Sequence, residues 1–450
     1  MKYWLRHTSD GSIDLKAASA LGMGNIAIFL INNAVAILAL PYYQMTLGLD
    51  PFLLSIAITV PLFISAMIGP WVGYYSDHFK SRFGRRKPFI FLSSILCGIF
   101  YGLMWEVPLD WSEINQFIYL FSFTLLFFIS STFLAIPLQC LTFESSDRVE
   151  ERTKVIAITV LFRRFTAMTA HWIYPLSTVS LFGGAALGVQ FVGWFVGLCF
   201  ITGVSLIAVL FSHEAEAPEL HDKPEMNVIP YIQKALKNRV FLLILLISFL
   251  QVCGGGFSAS MDYYVLVYYV SAGVVADGAI LKGVLSSAHA ITGMTLIPVV
   301  TYITLKFGQR RALEVAFGLA TLGGIAKWFI FAPGAGWTVA FDAILCNMVW
   351  VIMGITIPAI IASICDEERR LTQEDNKGVY MAVHHWVLYL GASIAVLASG
   401  FTLSFIGFDA NFGADQPPSS LFSMRLILAA GTSLFAIIAF LLSKKLRLHD

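Results

Sequence analysis

The chain has 450 residues, of which 58% are hydrophobic and 13% charged, and its mean hydropathy is +0.77. Soluble domains contain about 45–50% apolar and about 25% charged residues, so this composition excludes a soluble protein. The net charge of +1 excludes a basic surface for nucleic acid, and the six scattered cysteines indicate neither a zinc site nor a disulfide framework. The composition therefore predicts an integral membrane protein.

Twelve apolar runs follow one another along the chain, each long enough to cross a bilayer, which takes about 20 residues of helix. They begin near Ala20, Pro51, Pro88, Phe117, Lys154, Gly188, Val240, Gly278, Ala312, Trp337, Gly378 and Leu421. A strand or loop in lipid would leave backbone polar groups without hydrogen bonds, so we expect every run to be helical. The first run is too long for the apolar core of a signal peptide, and no cleavage is predicted. The predicted fold class is an all-α membrane protein with twelve transmembrane helices.

Lysine and arginine are divided unevenly between alternate connections. The two tails and the connections after runs 2, 4, 6, 8 and 10 contain 24 of the 29 basic residues; the other connections contain none. Basic loops remain on the cytoplasmic side, so both termini are predicted to be cytoplasmic. The expected location is the plasma membrane, as a multi-pass protein of a bacterial inner membrane.

The second half of the chain repeats features of the first half. Pro41 and Pro137 are 96 residues apart, and so are Asp262 and Pro358 at the matching places in the seventh and tenth runs. Two six-helix repeats are typical of secondary transporters that bind their solute near the membrane midplane. The predicted units are an N-terminal half 1–211, a cytoplasmic linker 212–239 and a C-terminal half 240–450.

The connection after the second run contains a recognisable signature. Gly73–Asp77, followed by Ser81–Phe89 (Ser-Arg-Phe-Gly-Arg-Arg-Lys-Pro-Phe), resembles the loop signature of the major facilitator superfamily. This version is similar to that of the glycoside–pentoside–hexuronide:cation symporters, which include the melibiose permeases, and of the sucrose transporters. An acid in such a cationic loop can pair with an arginine or a helix N-terminus and hold two helices together. The predicted conformational latch comprises Asp77, Arg82, Gly84, Arg85 and Arg86.

The resemblance implies the major facilitator fold and transport by alternating access, but it does not extend to the sodium site. Melibiose permeases resemble one another in two acids on helix 2 and a third on helix 4; the matching positions here are Ser65, Gly69 and Ala135. The loss of these carboxylates favours protons over sodium as the coupling ion, with no other cofactor. No Walker motif and no nucleophile–base pair occurs, so the chain is not expected to be an enzyme.

Two adjacent arginines, Arg163 and Arg164, are predicted near mid-depth in the fifth run. Adjacent helical residues point about 100° apart, so only one of them is expected to face a solute cavity. Its guanidinium can bind a carboxylate, a phosphate or sugar hydroxyls through forked hydrogen bonds. The alternative is a structural ion pair between helices, or a side chain that extends to the membrane surface.

The eleventh run contains the cluster His384, His385 and Trp386. Alignment with the melibiose permeases places His385, Trp386 and Tyr389 at positions that resemble that family's sugar contacts. Imidazole both donates and accepts hydrogen bonds and indole offers an apolar face, as a sugar ring requires. His384 is predicted to carry a proton, because histidine changes charge near neutral pH. The alternative is that the histidines only pack between helices.

Asp262 is predicted to be the acid most deeply placed in the membrane, and such a group is a candidate for carrying a proton. A structural ion pair with Lys282, Lys327 or Arg425 is the alternative. The amides of Asn32, Asn33 and Gln139 are candidates for solute binding, with hydrogen bonding between helices as the alternative.

The leading hypothesis is therefore a symporter for a sugar, a glycoside or a similar small polar solute, with that solute and the lipid bilayer as its partners and no obligatory protein partner. Two other hypotheses stay open. One keeps the fold and assigns an anionic or amphipathic solute bound by an arginine. The other is a membrane assembly or delivery factor that transports nothing.

Overall fold

The computed structural model describes residues 15–79, 81–143, 149–212, 236–372 and 377–446. Every regular element in these ranges is helical, so the predicted all-α class is confirmed. The chain divides into two compact units, Met1–Glu219 and Leu220–Asp450. The division falls within the predicted linker 212–239, most of which lies outside the described residues.

Within its described residues, the N-terminal unit contains six long helices, a short one, Ile173–Ser177, and a 3₁₀ segment, Ser180–Phe182. The long helices are α1 Leu15–Gln44, α2 Pro51–His78, α3 Lys87–Leu103, α4 Glu113–Phe143, α5 Val149–Ala170 and α6 Ala185–Phe211. Helix α4 packs along both α2 and α3, and α1 packs along α5 and the end of α6. The start of α2 shows how the sequence sets these boundaries: the Asp50 carboxylate accepts hydrogen bonds from the backbone N–H groups of Phe52 and Leu53, and Pro51 occupies the first helical position.

The described part of the C-terminal unit also contains six long helices. They are α7 Arg239–Val270, α8 Val275–Phe307, α9 Gln309–Ile330, α10 Asp342–Thr372, α11 Lys377–Phe405 and α12 Pro418–Ser443. A 3₁₀ segment, Gly336–Phe341, leads into α10. Helix α9 packs against α10 and α12, and α8 packs against α10. Phe241, Phe317 and Ile352 are fully buried at the centre of the apolar core that these helices share.

Ten of the helices in the described ranges are long and apolar enough to cross a membrane. The other two long helices are α3, which is apolar but has 17 residues, and α5. We predicted α5 to begin near Lys154, whereas it begins at Val149, because its first turns carry charges that an apolar run does not include. Twelve crossings, and the repeat relation between the halves, stay predictions.

Several helices contain π-helical segments, in which each turn is one residue wider than an α-turn. In the part of the chain that the structure describes, α1, α6, α7 and α12 contain them. The segments are Leu40–Gln44, Val196–Gly203, Leu250–Gly255, Val265–Val270 and Ile427–Gly431. The glycine run that starts at Gly254 falls partly in one of them, and a Cβ at Gly254 would collide with the ring of Phe435 on α12.

Helices α3 and α6 approach so closely that their backbones touch through two glycines. A Cβ on Gly197 would lie 2.5 Å from the carbonyl oxygen of Gly98. We therefore expect Gly197→Ala to lower the stability by about 1–3 kcal/mol, because a rigid backbone has to move to admit the methyl group. Thermal unfolding in detergent measures this loss, with Gly318→Ala on α9 as the control, since nothing lies within 4 Å of a Cβ there. Equal melting temperatures for the two variants would contradict the prediction.

Candidate functional site

The predicted latch loop lies between α2 and α3. Gly84 has a φ of +102°, a conformation that favours glycine, and the Arg82 guanidinium lies 4.7 Å from the centre of the Phe83 ring. Arg85 is half-buried and Arg86 is buried. The Asp77 side chain lies outside the described residues, so the pairing predicted for it stays a prediction.

The start of α3 is attached to the end of α6 next to this loop. The ammonium group of Lys87 donates a hydrogen bond of 2.7 Å to the backbone carbonyl of Ser212. This hydrogen bond therefore joins the start of α3 to the end of α6 on the side where the basic loop lies. This attachment was not predicted, because the sequence does not show which backbone carbonyl Lys87 of the basic signature reaches.

The positions that match the sodium site of the melibiose permeases lie where α2 and α4 meet. The Thr132 hydroxyl on α4 is 3.4 Å from the backbone carbonyl of Ser65 on α2, and a Cβ at Gly69 would lie 3.4 Å from the Ile136 side chain. The Ser65 hydroxyl itself donates to the carbonyl of Leu62. Hydroxyl groups, small residues and apolar side chains thus make the contact that the alignment assigns to acids in that family.

The candidate amides of the N-terminal half make no hydrogen bond to another helix within the described residues. The side-chain amides of Asn32 and Asn33 donate to the carbonyls of Ile28 and Phe29, one turn earlier in α1. Asn32 is exposed, Asn33 is half-buried, and Gln139 on α4 is exposed. The hydrogen bonds of the two α1 amides are therefore local to their own helix, and their role in solute binding stays a prediction.

Arg163 and Arg164 have different surroundings on α5. Thr159 and Thr166, one turn before and after Arg163, belong to the buried face of the helix. Arg163 lies at the border of that face and is exposed, whereas Arg164 is half-buried. Arg163 therefore has hydroxyl-bearing residues one turn before and after it on the helix.

The two histidines of α11 also have different environments. His384 is 5% exposed, and its Nε2 lies 3.0 Å from the Ser248 hydroxyl on α7. This contact between helices is the packing role that was the alternative for the histidines. His385, Trp386 and Tyr389 are exposed, Trp386 by 74%. The three residues that were predicted to contact a sugar are thus all exposed, whereas His384 is buried, although its ring still contacts the ring of His385 edge-to-face.

Asp262 forms the ion pair that was the alternative to a proton-carrying role. The ammonium group of Lys282 on α8 lies 2.7 and 2.8 Å from its two carboxylate oxygens. Arg425, another candidate partner, is instead stacked between the rings of Tyr269 and Trp328, each 4.1 Å away. The Asp262–Lys282 ion pair therefore joins α7 to α8.

A second ionic cluster in this half was missed. Lys327 on α9 and Asp342 on α10 form an ion pair of 2.8 Å, and His289 on α8 lies 3.4 Å from the same carboxylate oxygen. Asp342 is only 1% exposed, because α8 and α9 pack against the helix that carries it. The sequence contains one indication of ionic contacts on α8. Lys282 and His289 are seven residues apart, about two helical turns, so these two ionisable side chains share one face of the helix.

Comparisons with known proteins agree with the helical architecture. A family described as MFS/sugar transport protein matches residues 20–450. The uncharacterized symporter YnaJ of Bacillus subtilis is 21% identical over 90% of this chain and 85% of its own length. The putative glycoside/cation symporter YagG of Escherichia coli is 20% identical over 92% of this chain and 88% of its own.

Solved structures show a similar fold at low sequence identity. The nucleoside transporter NupG has a TM-score of 0.65 at 13% identity, covering 96% of this chain and all of NupG. A bacterial homologue of the human lysosomal transporter Spinster also has a TM-score of 0.65, at 15% identity, covering 95% of this chain and 96% of the homologue. All of these proteins are transporters and none is an enzyme. The chain belongs to the MFS/sugar transport protein family, and it is a multi-pass membrane transporter that resembles the glycoside–pentoside–hexuronide symporters.

Proposed function

We propose that the protein is a proton-coupled symporter of a sugar, a glycoside or a similar small polar solute. It works by alternating access in a bacterial inner membrane, with both termini in the cytoplasm. The observation that supports this most directly is the exposed set of His385, Trp386 and Tyr389 on α11. The family description and the name of YagG support a sugar or glycoside as the solute.

The chemistry of the α11 set fits a sugar ring. His385 and Tyr389 are four residues apart and therefore lie on one face of the helix, with Trp386 at its edge. The indole presents a flat apolar surface to the C–H face of a ring, while imidazole and phenol groups donate and accept hydrogen bonds. In the N-terminal half, Asn32, Asn33, Gln139 and Arg163 are the polar side chains that we propose for solute binding.

Protons are the proposed coupling ion, because the α2–α4 contact lacks the carboxylates of a sodium site. The C-terminal half, in contrast, is rich in buried ionisable groups. Asp262 and His384 are the sequence-derived candidates for the coupled proton, and each joins α7 to another helix. A proton bound or released at such a contact changes the attraction between two helices, as a transport cycle requires.

Uptake by purified protein in proteoliposomes tests this function. Labelled xylose, melibiose and glucuronate are offered under an imposed pH gradient, then under a sodium gradient without a pH difference, with protein-free liposomes as the control. We expect accumulation of at least one sugar under the pH gradient alone. Sodium-driven accumulation would overturn the proposed coupling, glucuronate transport alone would favour an anionic solute, and no transport with a co-purifying protein would favour an assembly factor.

Arg163 is expected to contribute more to solute binding than Arg164, given its position beside the threonines of α5. Arg163→Gln should raise the solute concentration for half-maximal uptake at least about tenfold, because a hydrogen bond from a charged donor contributes about 1.5–3 kcal/mol. Arg164→Gln is the matched control, one residue away in the same helix, and should change uptake little. The opposite ranking would assign the binding role to Arg164.

A further inference from the structure

Three ionisable side chains from three helices meet inside the C-terminal half. Lys327 on α9 donates a hydrogen bond of 2.8 Å to Oδ2 of Asp342 on α10, and Nε2 of His289 on α8 lies 3.4 Å from the same oxygen. Lys327 and Asp342 are 4% and 1% exposed, whereas the His289 side chain is 30% exposed. Within the cluster, His289 is therefore accessible to solvent, and Lys327 and Asp342 are buried.

The two oxygens of the Asp342 carboxylate differ in their hydrogen-bond partners. Its Oδ2 faces both Lys327 and His289, whereas its Oδ1 is buried and accepts no N–H or O–H hydrogen bond within the part of the chain that the structure describes, with the thiol of Cys346 nearby. Buried polar atoms normally have a partner, and an exception calls for a specific reason. Two donors that compete for one oxygen while the other oxygen is unused can exchange places with a small movement of a side chain.

With His289 neutral, the positive and negative charges in and around the cluster sum to zero. The charged and titratable groups that face it are Lys327, Asp342 and the thiol of Cys346, with the Asp262–Lys282 pair close enough for the Asp262 charge to act on Lys327. Two acids and two lysines cancel. A proton on His289 therefore adds a net positive charge to a site with little water, where charges interact strongly.

The backbone at His289 is attached to α10 about a turn and a half beyond Asp342. The side-chain amide of Asn347 donates to the backbone carbonyl of His289 and, over 2.9 Å, to the hydroxyl of Thr292. The hydrogen bonds of Asn347 therefore connect α8 to α10 close to the His289–Asp342 contact. A change in the attraction between His289 and Asp342 acts on this same helix–helix contact.

We infer that His289, together with the Lys327–Asp342 pair, is the site that binds the coupled proton, an inference that rests on the proposed proton symport. A proton taken up by the free ring nitrogen gives an imidazolium with two N–H donors. The positive charge on the ring strengthens the contact from Nε2 to Oδ2 of Asp342 and weakens the Lys327 contact to the same oxygen without breaking it; loss of that proton restores the stronger Lys327 contact. No bond other than N–H forms or breaks, and the attraction alternates between α8–α10 and α9–α10.

The first test needs no solute. Infrared difference spectra between pH 8 and pH 5 are recorded on the full-length protein in liposomes, for the wild type, His289→Gln and the control His171→Gln at the end of α5. We expect a carboxylate band from Asp342 in the wild type and the control, and its loss in His289→Gln at an unchanged melting temperature, while imidazole bands from the other histidines remain in all three samples. An unchanged difference spectrum for His289→Gln would overturn the inference, whatever the solute turns out to be.

The second test separates coupling from transport, using the sugar that the wild type accumulates. With one proton per solute, a gradient of one pH unit sustains about tenfold accumulation, since a tenfold ratio corresponds to about 1.4 kcal/mol. His289→Gln should lose this accumulation and keep exchange of labelled for unlabelled sugar. Wild-type accumulation in the variant, or loss of exchange together with accumulation, would overturn the inference. Absence of any wild-type uptake would instead refute the proposed function, which the infrared test does not depend on.

Discussion

Lys327→Met is expected to lower the stability of the protein by about 3–5 kcal/mol, one of the two largest effects that we predict. The substitution keeps a long side chain but removes the ammonium group that neutralises Asp342, and a buried charge left without its partner is strongly destabilising. Thermal unfolding of the purified protein in detergent measures the loss. The effect should shrink at low pH, where Asp342 can take up a proton.

The matched control for Lys327→Met is the double variant Lys327→Met/Asp342→Leu. It removes both charges and fills the site with apolar atoms, so it should recover most of the stability. Lys306→Met, at an exposed end of α8, should have almost no effect. An equal loss in the single and double variants would show that packing, and not the ion pair, determines stability at this place.

Trp386→Ala is expected to weaken solute binding at least about 30-fold, since an anchoring tryptophan commonly contributes 2 kcal/mol or more to a binding site. The side chain is 74% exposed, so its removal leaves the packing of α11 intact and the melting temperature unchanged. Uptake at a series of solute concentrations measures the change. The physical reason is the loss of the flat indole surface against the sugar ring.

Trp337→Ala is the control for this prediction, because Trp337 lies in the same half, just before α10, and is exposed by 75%. We expect it to leave uptake unchanged. If the two tryptophan variants lose uptake equally, a general effect of surface aromatic residues explains the loss, and Trp386 is not a solute contact.

Composition alone was sufficient to predict the helical architecture, because a membrane admits few alternatives for a chain this apolar. Boundaries were predicted less well where charge enters a helix. The first turns of α5 carry glutamate and arginine side chains, so an apolar run detects this helix only from Lys154, five residues after its start at Val149.

The partners of buried groups could not be predicted from the sequence. Asp262 had three candidate cations, and the choice of Lys282 depends on how α7 and α8 are rotated against each other. His384 and His385 are adjacent in sequence, yet one is bonded to Ser248 and the other is exposed. A rotation of about 100° separates neighbouring residues on a helix, so sequence position leaves the environment of each undetermined.

The π-helical segments have a consequence for how this chain tolerates changes in length. A π-turn holds one residue more than an α-turn, so deleting one residue within Leu250–Gly255 converts the turn and leaves the flanking faces of α7 aimed as before. The same deletion in α9, which is α-helical throughout, turns every later side chain by about 100°. Single-residue gaps in α1, α6, α7 and α12 are therefore compatible with an unchanged arrangement of side chains, and evolution can shorten these helices without moving the residues beyond them.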